Sequence, residues 1–303
     1  MTTDADVLVR SGSRRVGPFQ VGAIGFGCWR LTTDSTAAAT RLIATAIDHG
    51  CNLIDTADVY GFDWGGSGFG ACETRLGEVI AAQPALRNRM VLATKGGIVP
   101  GIPYHGSAAA LVAACEASLR RLQVEHVDLY LVHRPDLFTH PAETATALMS
   151  LRNRGLVREL GVSNHTPAQV AALQAHLTVP LVAVQPEFSA VALAALRDGT
   201  LDQAMQMAMG VLAWSPLAGG RLATGDGVAP GLLAVLDQLA ERYGSNRSNV
   251  ALAFVLAHPA QSVAIVGTQR ADRIAEAAQA VQVPLVRADV YAIVEASEGI
   301  PLP

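Results

Sequence analysis

Four side chains capable of acid–base chemistry stand at or just after the ends of short apolar segments. They are Asp55, Tyr60, Lys95 and His133, and the segments cover residues 52–55, 91–95 and 128–133. Apolar runs of this length are typical of buried parallel strands, and the carboxyl ends of parallel strands meet at one edge of a sheet. A carboxylate, a phenol, an amine and an imidazole are therefore predicted to share one pocket.

These groups suit the interconversion of a carbonyl and an alcohol. A tyrosine has a reference pKa of about 10, and a neighbouring ammonium such as that of Lys95 favours the phenolate and lowers this value. Asp55 would keep Lys95 protonated, while His133 would hydrogen-bond a substrate carbonyl oxygen and Tyr60 would give or take its proton. None of these groups can supply a hydride, so the reaction requires a nicotinamide cofactor.

The elements that position this set alternate regularly along the chain. Strands are predicted at 23–27, 52–55, 91–95, 128–133, 160–163, 181–185, 211–215 and 263–267, and helices at 35–49, 73–82, 107–122, 142–154, 167–175, 232–243 and 271–280. An eightfold alternation with right-handed crossovers closes most simply as a (β/α)8 barrel. The expected fold is an α/β TIM barrel that forms one domain over residues 1–303.

Further segments lie outside the eightfold count. An N-terminal β-hairpin is predicted at 7–20, with its turn at Gly12-Ser13, where it would plug the bottom of the barrel. Additional helices are predicted at 246–258 and 288–298. The predicted helix N-caps are Ser35, Ser107 and Thr166.

Composition narrows the possible partners. The chain has 303 residues, of which 50% are hydrophobic and 16% charged, so it can bury a large core. Its net charge is -4 and its basic residues are scattered, which argues against a nucleic-acid partner. No apolar stretch reaches the roughly 20 residues that span a bilayer, and the N-terminus does not resemble a signal peptide. A cytoplasmic location with no membrane partner is expected, and the widely spaced cysteines indicate no metal site.

A second set of residues suits the cofactor. Ser163 and Asn164 end the fifth predicted strand and Gln185 ends the sixth, where their side chains could bind a carboxamide. The segment Trp214-Ser215-Pro216-Leu217-Ala218-Gly219-Gly220-Arg221 offers an aromatic surface, glycine amides for a pyrophosphate and a cation. Gly267-Thr268-Gln269-Arg270 follows the eighth strand and opens a helix that carries Arg273 and Glu276. Loops after strands seven and eight are the usual phosphate site of such barrels.

The order of these motifs resembles the aldo-keto reductase family over nearly the whole chain. The matching motifs are D-T-A-D-V-Y-G at 55–61, A-T-K-G-G at 93–97, L-V-H-R at 131–134, G-V-S-N at 161–164 and W-S-P-L-A-G-G at 214–220. The segments G-C-W-R at 27–30, H-R-P-D at 133–136 and D-G-T-L-D-Q at 198–203 are similar to a bacterial subgroup whose substrates are largely unassigned.

The resemblance implies an NADP-dependent enzyme that reduces an aldehyde or ketone, or catalyses the reverse oxidation. It implies that Tyr60 is the general acid/base, that Lys95 and Asp55 adjust the pKa of Tyr60, and that His133 positions the carbonyl. It also implies that Trp214 stacks on the nicotinamide and that Arg273 grips the 2'-phosphate, which favours NADP(H) over NAD(H). The implied cofactor residues are Gly27, Cys28, Trp29, Asp55, Ser163, Asn164, Gln185, Trp214, Ser215, Pro216, Leu217, Gly219, Gly220, Arg221, Gly267, Thr268, Gln269, Arg273, Glu276 and Ala277. The substrate, a small carbonyl compound or alcohol, would contact Trp29, Tyr60, Trp64 and His133.

The chain departs from the family pattern at three places. Ala277 stands where many members have an asparagine that contacts adenine, so that contact is expected to be lost. Residues 61–70 insert a glycine-rich segment that should reshape the substrate pocket. Cys28 precedes Trp29 where relatives often carry a hydroxyl side chain.

Two other functions remain open from the residues alone. A Schiff-base aldolase would also place a lysine at a barrel strand end, but it needs Lys95 unprotonated, whereas Asp55 should keep it charged. A noncatalytic NADPH-binding or sensing subunit would bind the cofactor tightly with negligible turnover.

Overall fold

The computed structural model describes residues 6–63 and 65–303. A hairpin of β1 (Arg14–Val16) and β2 (Phe19–Val21) precedes eight parallel strands that close into a barrel. The barrel strands are β3 (Ile24–Gly27), β4 (Leu53–Asp55), β5 (Val91–Gly96), β6 (Val127–Val132), β7 (Val157–Ser163), β8 (Ala183–Gln185), β9 (Gly210–Ala213) and β10 (Val263–Val266). All eight coincide with predicted strands, so the (β/α)8 architecture is confirmed.

Helices surround the barrel. They are α1 (Thr36–Asp48), α2 (Ala71–Ala82), α3 (Pro84–Arg87), α4 (Ala108–Leu122), α5 (Pro141–Asn153), α6 (Pro167–Gln174), α7 (Ala194–Arg197), α8 (Thr200–Gln206), α9 (Arg221–Thr224), α10 (Pro230–Arg242), α11 (Arg247–Leu256), α12 (Ala271–Ala278) and α13 (Arg287–Glu298). Each strand pairs with the next in chain order, and β10 closes the ring against β3. Among these helices, α11 and α13 match the two additional helices predicted outside the eightfold count.

The barrel strands are apolar at consecutive positions because both of their faces are buried. Leu129 and Leu131 of β6 point into the barrel, where they pack in one cluster with Leu53 and Val91. Tyr130, between them, belongs to the larger cluster between the sheet and the helices. The alternation of side chains along each strand therefore fills two layers of core from one short run.

The predicted hairpin is present, but its turn was predicted at the wrong place. Val16 pairs with Phe19, so the turn consists of Gly17-Pro18 and not of Gly12-Ser13. Gly17 has a φ of +55°, which glycine adopts without strain, and Pro18 needs no backbone N–H at a turn position. Val16 and Val21 then pack into the barrel interior from below.

The predicted helix caps are confirmed. Ser35 Oγ accepts a hydrogen bond from the N–H of Ala38 (3.2 Å), Ser107 Oγ from that of Ala110 (3.4 Å), and Thr166 Oγ1 from that of Gln169 (3.3 Å). The prediction missed α3, α7, α8 and α9, because helices of four to seven residues are too short to show a clear period. Within residues 6–63 and 65–303, no helix combines the length and the apolar character needed to cross a membrane.

Candidate active site

A buried ion pair lies at the carboxyl end of the barrel. Lys95 Nζ donates to Asp55 Oδ2 (2.7 Å) and to the backbone oxygen of Thr56 (2.9 Å). Gln185, at the end of β8, donates through Nε2 to Asp55 Oδ1 (2.9 Å) from across the barrel mouth. Lys95 is 0% and Asp55 3% exposed, so the pair sits in a low-dielectric environment and holds both side chains in one geometry.

Tyr60 and His133 complete the predicted set of four. The Lys95 ammonium lies 4.9 Å from the centre of the Tyr60 ring, and the Tyr60 and His133 rings are 5.8 Å apart in an edge-to-face arrangement. Tyr60 follows β4 in a turn, and its backbone oxygen accepts from the N–H of Cys72 at the start of α2 (3.2 Å). The structure thus brings all four side chains together.

Burial and charge set the protonation of these groups. Burial raises the pKa of Tyr60 to about 12, because it outweighs the lowering effect of the Lys95 ammonium. The lowering expected from the sequence is present, but the net shift is upward, so Tyr60 is a neutral phenol at pH 7. Burial acts to lower the pKa of Lys95, but Asp55 and Tyr60 together raise it above its ordinary value, so Lys95 is charged.

His133 is neutral. Burial, with smaller effects of Lys95 and Arg134, holds its pKa well below 6.5. Its Nδ1 atom is buried and has no hydrogen-bond partner in the described part of the chain. A neutral imidazole can donate one hydrogen bond, so this ring can bind a carbonyl oxygen without adding charge.

The residues predicted to hold a carboxamide form one hydrogen-bonded group beside His133. Asn164 Nδ2 donates to Ser163 Oγ (2.8 Å) and to the backbone oxygen of His133 (3.2 Å), and Ser163 Oγ donates to the backbone oxygen of Gln185 (3.0 Å). Trp214 Nε1 donates to Asn164 Oδ1 (2.9 Å). Asn164 adopts a φ of +58°, a left-handed conformation that asparagine tolerates. Ser163, Asn164, Gln185 and Trp214 are therefore brought together at the barrel mouth.

The loop after β9 offers backbone positions open to a phosphate. Gly219 and Gly220 have φ of +70° and +103°, and a Cβ added to either would meet no atom within 4 Å. Ser215 Oγ accepts from the N–H of Gly219 (3.0 Å), while Arg30 donates to the Gly219 backbone oxygen (3.2 Å) from the loop after β3. The turn leaves room for an anionic group to approach. Its two glycine amides, predicted to bind a pyrophosphate, already donate in this structure, because the Gly220 N–H donates to the Leu217 backbone oxygen (2.9 Å) as that of Gly219 does to Ser215 Oγ. Ser215, Pro216, Leu217 and Arg221 frame the same loop.

The loop after β10 leads into α12 and carries a cation. Gly267, Thr268 and Gln269 bridge the strand and the helix, with Gln269 Nε2 donating to the Gly267 backbone oxygen (3.4 Å). Arg273 is exposed, and its guanidinium forms no ion pair with the described residues. Arg270 instead pairs with Asp272. Arg273 can therefore receive a phosphate group, which fits a 2'-phosphorylated dinucleotide.

Not every predicted contact residue is accessible from the mouth. Cys28 is 0% exposed, and burial raises the pKa of its thiol well above the ordinary value. Ala277 is 6% exposed and packs in the core, whereas Glu276 is half-buried. A Cβ on Gly27 would lie 2.9 Å from a methyl of Ile265, so this position serves the close packing of β3 on β10.

Of the two tryptophans predicted to contact the substrate, the structure describes one. Trp29 is half-buried at the mouth, with the Arg30 guanidinium 5.3 Å from its ring centre. Trp64 lies outside the described residues.

Sequence reasoning missed a group of buried charges behind the site. Glu73 is 0% exposed and accepts from Thr94 Oγ1 (2.5 Å) and from Arg121 Nε (2.7 Å). Asp58 is 2% exposed, and its Oδ1 has no partner among residues 6–63 and 65–303. Asp58 is visible in the sequence as the second acidic residue of D-T-A-D, but no local pattern of residues connects Asp58 with Glu73 and Arg121.

Sequence reasoning also missed Arg134. It follows His133 directly, and its guanidinium lies 6.0 Å from the centre of the Trp214 ring. No hydrogen bond or ion pair joins that guanidinium to the part of the chain that the structure describes. A cation at this position can contact polar groups of a molecule bound beside His133.

Comparison with known proteins agrees with this geometry. The profile of the Aldo/keto reductase family matches residues 23–298. A protein of Novosphingobium aromaticivorans named 6-dehydroglucose reductase is 47% identical over 286 residues, which cover 93% of this chain and 94% of that protein. A protein of the same name from Agrobacterium fabrum is 34% identical, covering 88% and 91%. The structure of an aldo/keto reductase from Klebsiella pneumoniae in complex with NADP and acetate superposes with a TM-score of 0.78 at 27% identity, covering 97% of this chain and 98% of that one.

Proposed function

This chain belongs to the aldo/keto reductase family and is an oxidoreductase, and from that premise we propose that it reduces a sugar aldehyde with NADPH, with Tyr60 as the proton donor. The observation that carries the proposal is the neutral Tyr60 phenol beside the charged, buried Lys95–Asp55 pair. Burial alone would make this phenol a weaker donor, and the fixed ammonium next to it offsets part of that effect by stabilising the phenolate that forms.

The proton and the substrate oxygen define the roles of the four residues. When bound, the nicotinamide supplies a hydride to the carbonyl carbon. Tyr60 donates its proton to the carbonyl oxygen, and the neutral His133 imidazole donates a hydrogen bond to the same atom. Lys95, held by Asp55, stabilises the Tyr60 phenolate until it is reprotonated. In the direction of oxidation, the same phenolate accepts the alcohol proton.

The residues present fit NADPH as the cofactor. Ser163, Asn164 and Gln185 would hold the carboxamide, and Trp214 would stack on the nicotinamide. The open turn at Gly219 and Gly220 leaves room for the pyrophosphate beside Arg221 and residues 215–217, and the two glycine amides would exchange their acceptors within the loop for phosphate oxygens. The guanidinium of Arg273, which forms no ion pair with the described residues, supports the preference for NADPH over NADH, because a 2'-phosphate gives it a charged partner.

A sugar aldehyde is supported by the relatives and by Arg134. The two relatives described above are named for the reduction of 6-dehydroglucose, and one is 47% identical over 93% of this chain. The Arg134 guanidinium next to His133 offers several donors in a fixed plane, and these suit the hydroxyl and ring oxygens of a sugar. We infer that the aldehyde carbon lies against Tyr60 and His133 while the sugar ring lies towards Arg134.

Two alternatives from the sequence are weaker. A Schiff-base aldolase needs a neutral Lys95, and the raised pKa of Lys95 opposes that. A noncatalytic NADPH-binding subunit does not require a neutral phenol beside an ammonium. We further propose that residues 1–303 act as one domain. The cytoplasmic location and the lack of nucleic-acid or membrane partners stay predictions.

The test measures NADPH oxidation by the purified protein with 6-dehydroglucose and with a generic aromatic aldehyde. Tyr60→Phe should lower kcat by about 10²- to 10⁴-fold, the usual contribution of a general acid, and leave the Kd for NADPH unchanged. Tyr291→Phe, which alters an exposed tyrosine on α13, is the matched control and should retain full activity. Tight NADPH binding without turnover of any carbonyl would support the noncatalytic alternative, and near-wild-type activity of Tyr60→Phe would refute the assigned donor.

A further inference from the structure

A buried carboxyl group behind the active site has no role in the reaction described above. Asp58 lies two residues before Tyr60, and its backbone N–H donates to the backbone oxygen of Lys95 (3.0 Å). Its side chain is 2% exposed, and Oδ1 has no hydrogen-bond partner in the described part of the chain. A buried, ionised carboxylate with an unsatisfied oxygen would be costly.

The neighbouring cations are already engaged. Arg121 donates through Nε to Glu73 (2.7 Å) and through a second nitrogen to Ser118 Oγ (3.2 Å). Lys95 donates to Asp55 and to Thr56. The buried pair Lys95–Asp55 and the pair of the half-buried Arg121 with the buried Glu73 are therefore each neutral as a unit. An ionised Asp58 would add a negative charge that neither pair compensates.

We propose that Asp58 is a positioning residue that must be protonated for the Asp55 to Tyr60 segment to keep its active arrangement. The neutral acid lets this segment pack between α2 and β5 without a third buried negative charge. Ionisation would place a carboxylate between Glu73 and the backbone of Lys95. It would attract the Lys95 ammonium away from Asp55 and disfavour the Tyr60 phenolate.

The charged and titratable groups facing Asp58 support this protonation state. Glu73 on α2 opposes its ionisation, and Arg121 on α4 and Lys95 on β5 favour it. Tyr130 on β6 also interacts with it and is neutral, because burial raises the pKa of that phenol well above 10. Burial is the largest effect, and the pKa of Asp58 is raised from 3.8 to about 8.

The kinetic test compares the pH dependence of kcat/KM in the wild type and in Asp58→Asn, which mimics the neutral acid in shape. The wild type should lose activity above pH 8, about thirtyfold at pH 9.5, because loss of one required proton gives a tenfold decrease per pH unit. Asp58→Asn should match the wild type at pH 7 within about threefold and stay flat to pH 9.5. Asp48→Asn removes an exposed carboxylate at the C-terminus of α1, which precedes β4, and should reproduce the wild-type profile.

Two results would overturn the proposal. One is an alkaline decrease near pH 8 that persists in folded Asp58→Asn, since another group would then be responsible. The other is a hundredfold or greater loss at pH 7 in a folded, NADPH-binding Asp58→Asn, since the ionised carboxylate would then be required.

A second measurement is independent of turnover and of the variant. The kinetic test rests on the proposed reductase function, whereas a ¹³C NMR titration of the aspartate carboxyl carbons in the wild-type protein does not. A midpoint for Asp58 near pH 8 supports the proposal even where Asp58→Asn does not fold. A midpoint below pH 5 overturns it, whatever the enzyme reduces.

Discussion

Replacing Lys95 with methionine should separate the contribution of the buried ion pair to stability from its contribution to chemistry. The substitution keeps an unbranched side chain of similar length but removes the ammonium that lies 2.7 Å from Asp55 Oδ2. Gln185 would remain as a hydrogen-bond donor to Asp55. The Asp55 carboxylate would then be buried with an amide as its partner and no countercharge.

The structure sets the size of the effect. At an effective dielectric constant of about 20, charges 2.7 Å apart attract by about 6 kcal/mol. Removing one partner of a buried pair typically costs about 3–5 kcal/mol, because the remaining group relaxes or takes up a proton. Lys95→Met should therefore lower the free energy of unfolding by about 3–5 kcal/mol and lower kcat severely.

A double-mutant cycle checks this interpretation. Asp55→Asn alone leaves a buried ammonium and should also destabilise the protein, whereas the double variant Lys95→Met/Asp55→Asn removes both charges and should recover to within about 1 kcal/mol of the wild type. Its activity should stay low because the Tyr60 phenolate is no longer stabilised. Urea unfolding followed by circular dichroism gives the free energies, and NADPH oxidation gives kcat. A double variant as unstable as Lys95→Met would refute the assignment of the cost to an uncompensated charge.

Three further predictions concern other parts of the molecule. Asp58→Asn should raise the free energy of unfolding at pH 7 by as much as about 4 kcal/mol, since the pKa of Asp58 is raised from 3.8 to about 8 and each of the roughly three pH units between 3.8 and 7 is worth about 1.4 kcal/mol. As the pH rises above 3.8, the Asp58 carboxyl loses its proton in the unfolded chain but keeps it in the folded protein, so the stability of the wild type falls. Below pH 3.8 the carboxyl is protonated in both states, and urea unfolding should show no gain from Asp58→Asn. Arg273→Ala should weaken NADPH binding by about 10- to 100-fold and leave NADH binding unchanged in a fluorescence titration, because only NADPH carries the 2'-phosphate. Ser35→Ala should cost about 1 kcal/mol of stability through loss of the α1 cap, with unchanged kcat.

Local patterns in the sequence predicted most of the fold. All eight barrel strands and the caps Ser35, Ser107 and Thr166 were predicted correctly. Burial on both faces of a strand requires an apolar run, and capping requires a hydroxyl side chain at the helix start, so both are visible within a few residues of sequence. The hairpin turn was misplaced because both Gly12 and Gly17 adopt positive φ, and only the pairing of Val16 with Phe19 distinguishes them.

Some features of the candidate site follow from the sequence and others only from the tertiary structure. The sequence by itself determined which reactive groups stand at the strand ends, since Asp55, Lys95 and His133 each close an apolar run, and barrel closure then brings such ends together. Only the tertiary structure decided their electrostatic state. The neutral state of Tyr60 and the raised pKa of Asp58 depend on desolvation and on charges from distant segments. The contact of Gln185 with Asp55 joins residues 130 positions apart in the sequence. Those energies arise when the segments pack, so no local pattern encodes them.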